Sequence, residues 1–434
     1  MRSCWLRRAL TTTLALFWLA PVWPERAQAY SVMSHEAIID AAWEADIKPA
    51  LRQRFPEASE DELDRCQAYA YGGAIIQDLG YYPYGKPFFS DLTHYVRSGD
   101  FVLAMLRDAQ NVYEYAFALG ALAHYAADNN GHRLGTNRAV PILYPELHKK
   151  YGDSVSYEDD KLAHVKTEFG FDVLEIAKER YAPESYHDFI GFEVAPRVLN
   201  QAFQETYGLD LSKVLIDEDR ALNSYRHAVS KLLPKATRIA WHLKKDEIQT
   251  DLPGMTKRKF LFNLKRSAYE KEWGKDYNKP NFSDKVLALL YRLLPKFGPL
   301  KVLQFKTPTP ETERMFEASF NETLDQYRAL LKEERATRKP ALRNDNFDLG
   351  EVTAPGKYKL SDTTHAKLLD ELANVRFRDT PPEIRQELLT FFSDPDTPFS
   401  MRKDKKGWAK IQTELRELRA ATVEDGHQPV AVRP

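Results

Sequence analysis

Two histidine–carboxylate pairs, His124/Asp128 and His164/Glu168, each lie four residues apart inside a segment with helical spacing of apolar residues. Four residues is one helical turn, so each pair projects from one helix face with its two donors side by side. A chain with two such pairs is constrained to bring helices together around whatever the donors hold. Further donors of the same kind lie nearby, and the ordered set is His35, Asp78, His94, His124, Asp128, His132, His164 and Glu168. Imidazole nitrogen and carboxylate oxygen without thiolate suit zinc, and eight donors exceed the four of one tetrahedral centre. Taken singly, each histidine reads as an ordinary helix-face residue. The order and spacing of all eight predict a metal cluster.

From Tyr30 to about residue 245 the pattern is helical almost throughout, with few alternating runs of β-branched residues, so the expected class is all-α. Ser34 is placed to cap a helix running through Ala45. The segment Asn111 to Asp128 carries apolar residues at helical spacing, and Gly120 and Ala121 sit one turn before His124. Small residues there fit tight helix packing and would also let a neighbouring helix share a metal. A third helix is expected from Asp159 to Arg180, with others over 185–206 and 216–245. Between Asp78 and His94 runs a turn-rich loop dense in aromatics, Gly80 to Phe89.

Beyond residue 246 the chain becomes Lys-rich and irregular. A charged amphipathic helix is expected over 311–338, a linker over 339–358 and short helices over 360–420, with 421–434 a disordered tail. The apolar stretch Val286 to Leu294 reads as a buried helix rather than a membrane contact. The expected organisation is a leader over 1–29, a catalytic unit over 30–245 and a mostly helical C-terminal region over 246–420. About 400 residues exceed what one core usually serves, which favours two structural units.

The leader reading rests on Arg2, Arg7 and Arg8 ahead of an apolar run from Ala9 to Val22, followed by the small-x-small site Ala27-Gln28-Ala29. It predicts export, to the periplasm or beyond, with Tyr30 as the new first residue. Cleavage removes four Arg and one Glu, so the 62 basic and 63 acidic side chains become 58 and 62. That mild acidity gives no overall attraction to nucleic acid or anionic lipid. Of the two cysteines, Cys4 lies in the leader, which leaves Cys66 without a disulfide partner in the same chain.

The series His35, Asp78, His94, then His124-Tyr-Ala-Ala-Asp128, His132, and finally His164-Val-Lys-Thr-Glu168 resembles the zinc-dependent phospholipase C family of the clostridial alpha-toxin type. Fungal single-strand-specific nucleases are its wider relatives. The resemblance covers about Tyr30 to Tyr181 and implies a multi-helix bundle around three zinc ions. It implies that Asp78, His94, His124 and Asp128 hold one zinc. The free amine and carbonyl of Tyr30, with His35 and Asp128, would hold a second, bridged to the first by Asp128. His132, His164 and Glu168 would hold the third. It further implies a phospholipid substrate, cleaved to diacylglycerol and a phosphorylated headgroup, with a zinc-bound hydroxide attacking phosphorus. Asp78 and Asp128 would then be the catalytic carboxylates, with Asp78 the candidate to orient or deprotonate the water.

The chemistry has its own logic. Metals about 3.5–4 Å apart neutralise an anionic diester and steady the charge that grows at phosphorus. Zinc lowers the pKa of bound water to about 7, so no Ser or Cys nucleophile is required. Two features depart from the family pattern. His132 follows Asp128 by four positions where six usually separate the two in the family, so Gly131 is expected to end the helix and turn the chain back, with His148 as the substitute ligand. The aromatics Tyr81, Tyr82, Tyr84, Phe88 and Phe89 are either a cation–π wall for a quaternary ammonium headgroup or a buried anchor for their loop. Two other functions stay open: a nuclease on the same scaffold, favoured by basic clusters at Lys257 to Lys259 and Arg402 to Lys406, and a non-catalytic exported zinc protein.

Overall fold

The computed structural model describes residues 32–82, 84–177, 192–215, 217–227, 304–394 and 403–421. Tyr30, the leader, the tail, Val286 to Leu294 and Lys257 to Lys259 lie outside these. As expected, the described chain is all-α apart from one short hairpin. The first stretch is α1 (Val32–Ala42), a widened π turn (Trp43–Ile47) and α2 (Lys48–Arg54). Then come α3 (Glu60–Ile75), a 3-10 turn (Ile76–Tyr81), α4 (Pro87–Tyr95), α5 (Ser98–Asp108) and α6 (Val112–Asn130). A second π turn (Gly131–Thr136) leads to α7 (Asn137–Leu143) and α8 (Pro145–Tyr151), and α9 (Lys161–Ala177) follows. The helices α10 (Pro196–Tyr207), α11 (Leu211–Val214) and α12 (Glu218–His227) precede the long α13 (Pro310–Thr337). The hairpin β1 (Asp345–Asn346) and β2 (Glu351–Val352) comes next, then α14 (Lys359–Asn374), α15 (Pro382–Phe391) and α16 (Lys405–Ala420).

Local chemistry accounts for many of the boundaries. Ser59 caps α3 in a reciprocal box with Glu62, and Asn111 Oδ1 accepts from the Glu114 N–H at 3.0 Å to start α6. Proline opens α4, α8, α10, α13 and α15, where its missing N–H costs nothing. Ser34 does not cap. The helix has already begun at Val32, and the Ser34 hydroxyl donates instead to Asp172 Oδ1 of α9 at 2.6 Å.

Nearly every residue of α6 is buried, which makes it the hub of the bundle. Its closest neighbour is α3, and glycine decides that approach. A Cβ on Gly120 would lie 2.1 Å from the Ala70 carbonyl oxygen, and one on Gly73 would lie 1.9 Å from that of Phe117. The small residues therefore serve tight packing, and that packing carries α3 into the turn that bears Asp78.

Buried side chains from Val32 to Leu418 form one large apolar cluster, so segments on both sides of residue 246 share a core. Along α13, the Tyr327 hydroxyl donates to the Leu119 carbonyl at 3.0 Å and the Tyr115 hydroxyl donates to Glu334 at 3.0 Å. The stretch 339–358 is not a linker. Asp345 pairs with Val352 and Asn346 with Glu351, and Asn346, Phe347 and Asp348 are buried, with the Phe347 ring against His94 of α4 and Tyr125 of α6. The Phe347 N–H donates to the His94 carbonyl at 3.2 Å. Gly350 makes the turn possible, because its φ of +64° suits glycine and a Cβ there would meet the Asn129 carbonyl oxygen at 2.5 Å. Among the described residues no helix is long and apolar enough to cross a membrane.

Candidate metal centre

Six elements converge on one buried point. α6 supplies His124 and Asp128, the 3-10 turn Asp78, α4 His94, α1 His35, the second π turn His132, and α9 both His164 and Glu168. All eight side chains are almost wholly buried. They fall into three groups whose donor atoms lie within 4.8 Å of one another: His35, His124 and Asp128; Asp78, His94 and His124; His132, His164 and Glu168.

Asp128 stands between the first two groups. Its Oδ2 lies 3.1 Å from His124 Nε2 and 3.2 Å from His94 Nε2, while its Oδ1 lies 3.5 Å from His35 Nε2. Asp78 Oδ1 is 3.4 Å from His94 Nε2. The tautomers follow from the backbone. His94 Nδ1–H donates to the Ser90 carbonyl at 2.7 Å and His124 Nδ1–H to the Ala74 carbonyl at 2.9 Å, because a carbonyl can only accept. In the neutral rings both Nε2 atoms are then bare, and they face each other at 3.4 Å. Two lone pairs and two carboxylates converging out of water is a strongly electron-rich arrangement. A cation resolves it.

The titration behaviour points the same way. Burial opposes charge on His94, yet Asp128 and Asp78 outweigh it and push its pKa up to about 10. Burial and the neighbouring His124 push His35 down to about 3. Burial works to raise Asp128, but His124, His94 and His35 hold it well below the usual carboxylate range. No oxygen of Asp78 or Asp128 receives a well-formed hydrogen bond. In a buried carboxylate such a lack leaves oxygens free to take an ion. Nitrogen and oxygen donors with backbone-anchored imidazoles fit zinc.

The third group is built differently. His164 Nδ1 faces Glu168 Oε1 at 2.7 Å, and its Nε2–H donates to Asn137 Oδ1 at 2.8 Å. The His132 and His164 rings stack with centroids 5.0 Å apart.

Residues 34–215 match the family model described as zinc-dependent phospholipase C. That stretch of the chain belongs to the zinc-dependent phospholipase C family. No curated protein and no solved structure matches the chain. The match continues past Tyr181, where the sequence resemblance ended, and includes every histidine and carboxylate of the three groups.

Within the phospholipase C domain two expectations about the third group need correction. Gly131 does not end the helix. Its backbone stays right-handed helical at φ −58° and ψ −49°, and the chain widens into the π turn. The extra residue per turn keeps His132 inside the bundle, 4.0 Å from Asp128 Oδ2, as π turns often do at functional positions. His148 is not a substitute. It lies exposed on α8, 2.8 Å from Asp153.

The aromatic loop is an anchor, not a wall. Phe89 packs against Phe203 in the core, Tyr82 lies against Tyr225, and Tyr81 is buried with its ring 5.6 Å from that of His94. The remaining two rings already have cations from this chain: Arg220 lies 4.0 Å over the half-exposed Tyr84 and Lys367 lies 4.2 Å over the buried Phe88.

Several residues near the centre had no signal in the sequence. Asn137 follows no ligand spacing, Phe347 lies 5.3 Å from the His94 ring, and Asp348 Oδ1 lies 3.2 Å from His132 Nε2. The last two come from the segment read as a linker, some 180 residues after Glu168.

Proposed function

We propose that the protein is an exported phospholipase C holding three zinc ions, and that it cleaves phospholipids to diacylglycerol and a phosphorylated headgroup. The observation that carries this reading is Asp128, whose two oxygens face opposite ligand groups as a bridging carboxylate must. Asp78, His94, His124 and Asp128 would hold one ion, and His35 and Asp128 a second together with the amine and carbonyl of Tyr30. His132, His164 and Glu168 would hold the third. When bound, zinc supplies Lewis acidity toward the phosphate diester and acidifies water at neutral pH. Asp78 supplies a carboxylate oxygen that orients the attacking water and takes its proton. Asp128 keeps the first two groups in register. Cys66 takes no part as a nucleophile, because it is buried and burial pushes its thiol up to about 12.

Export follows from the leader-like residues 1–29. While Tyr30 is locked in a peptide bond its nitrogen has no lone pair to give, so cleavage would complete the second site and keep the precursor quiet.

The test uses protein beginning at Tyr30, incubated with phosphatidylcholine vesicles, with a chromogenic phosphocholine ester and with single-stranded DNA, each with and without chelator. Lipid and ester turnover that chelator abolishes and zinc restores is the expected result. DNA cleavage with lipid untouched would replace this reading with a nuclease. Turnover of none, with zinc still bound, would leave a non-catalytic zinc protein.

A further inference from the structure

Asp348 is buried at the tip of the C-terminal hairpin, and its two oxygens have different neighbours. Oδ2 accepts from the Tyr95 hydroxyl at 2.9 Å and from the Tyr358 hydroxyl. Oδ1 is left to face His132 Nε2 at 3.2 Å. The backbone of the same residue reaches the other histidine of the third group. Its carbonyl accepts from Asn137 Nδ2 at 2.7 Å, and Asn137 Oδ1 accepts from His164 Nε2–H at 2.8 Å. One residue thus reaches the Nε2 side of both imidazoles, closer to His132 Nε2 than Asp128 Oδ2, which lies 4.0 Å from the same atom. On the opposite side, His164 Nδ1 meets Glu168 and His132 Nδ1 has no hydrogen-bond partner.

We propose that Asp348 is the positioning residue of the third metal site: it takes the Nε2–H of His132 directly and fixes His164 through Asn137, so that both rings offer a bare Nδ1 beside Glu168. A histidine that donates its second ring N–H to a carboxylate is fixed in tautomer and orientation and becomes a stronger donor. The two tyrosines serve this role by occupying only Oδ2. The placement also gives the C-terminal region a purpose, since Asp348 lies outside the matched residues 34–215 yet completes a site whose ligands lie within them. This inference rests on the reading above that His132, His164 and Glu168 hold a zinc ion.

The test measures metal rather than activity. Metal-free wild type, Asp348→Asn and His164→Ala are titrated with zinc against a competing chelator, and with cobalt to record the visible absorption of each site. Wild type should take three ions and His164→Ala two. Asp348→Asn should bind two as wild type does and the third 10–100-fold more weakly, the usual cost of losing such a partner, with a changed cobalt band for that ion alone. Wild-type affinity and an unchanged band in Asp348→Asn would overturn the proposal. A wild type that binds no third ion, or a His164→Ala variant that binds as many as wild type, would instead sink the underlying ligand assignment. Should Asp348→Asn fail to fold, Tyr358→Phe leaves the carboxylate and removes one of its two holders. A weakened third ion there supports the proposal, and an unchanged one overturns it.

Discussion

At Asp128 one carboxylate faces four imidazoles in the interior of the bundle, and the cost of burying it is offset only if positive charge sits among them. The same reasoning separates His132 from His148. His132 is buried beside His164 and Asp348, whereas His148 shares solvent with Asp153. We expect wild type to hold three zinc ions per chain and His132→Ala two, with most of the wild-type phosphodiesterase activity lost. His148→Ala should match wild type in both. Elemental analysis of the purified variants decides this, and a His148→Ala protein short of one zinc would reverse the assignment. The sequence alone left the pair open, because spacing from Asp128 assumes a regular helix and the π turn changes where four residues lead.

The helix α6 concentrates the site, and its start is tied down electrostatically. Glu114, in its first turn, accepts from Arg197 Nε at 2.7 Å and from the Gln110 N–H at 2.8 Å. Burial works to raise the Glu114 pKa, but Arg197 and Gln110 outweigh it and hold it below its ordinary value of 4.5. A carboxyl depressed in the folded state contributes stability above its unfolded pKa and loses it as pH falls through the folded one. Glu114→Gln should therefore cost ~1–2 kcal/mol at pH 7, the range for a charged hydrogen bond partly replaced by a neutral one. The difference from wild type should shrink below pH 4.5. Urea unfolding of both proteins at several pH values checks the trend, and a gap that widens in acid would contradict it. The caps on α3 and α6 and the donor pairs on α6 and α9 were legible because each involves residues within one turn. The contact between Gly73 and Gly120 was only half legible, since small residues announce a close neighbour without saying which helix it is.

For the molecule as a whole, the decisive fact is that the C-terminal helices enter the same core as those that carry the histidine and carboxylate donors. Phe316, Tyr327 and Leu331 of α13 and Leu368, Leu369 and Leu372 of α14 are buried in the cluster that holds Leu119 and Leu122 of α6. Fully burying such side chains stabilises by ~1.5–3 kcal/mol each, a sum far beyond the net stability of a domain. A chain ending before Pro310 should expose that surface and fail to give a monodisperse helical protein. Circular dichroism and size-exclusion chromatography of such a truncation test this, and a well-folded monomer would show that the phospholipase C domain stands alone.

The amino-acid sequence by itself determined the helical class, the donor types and the pairs His124/Asp128 and His164/Glu168, because helical periodicity is local and repeats every turn. Tertiary structure decided what no periodicity encodes. It set Asp348 behind His132, linked Asn137 to both the hairpin and His164, and turned the aromatic loop inward. These contacts join residues tens to hundreds of positions apart, and their partners are chosen by how whole helices pack rather than by any spacing along the chain.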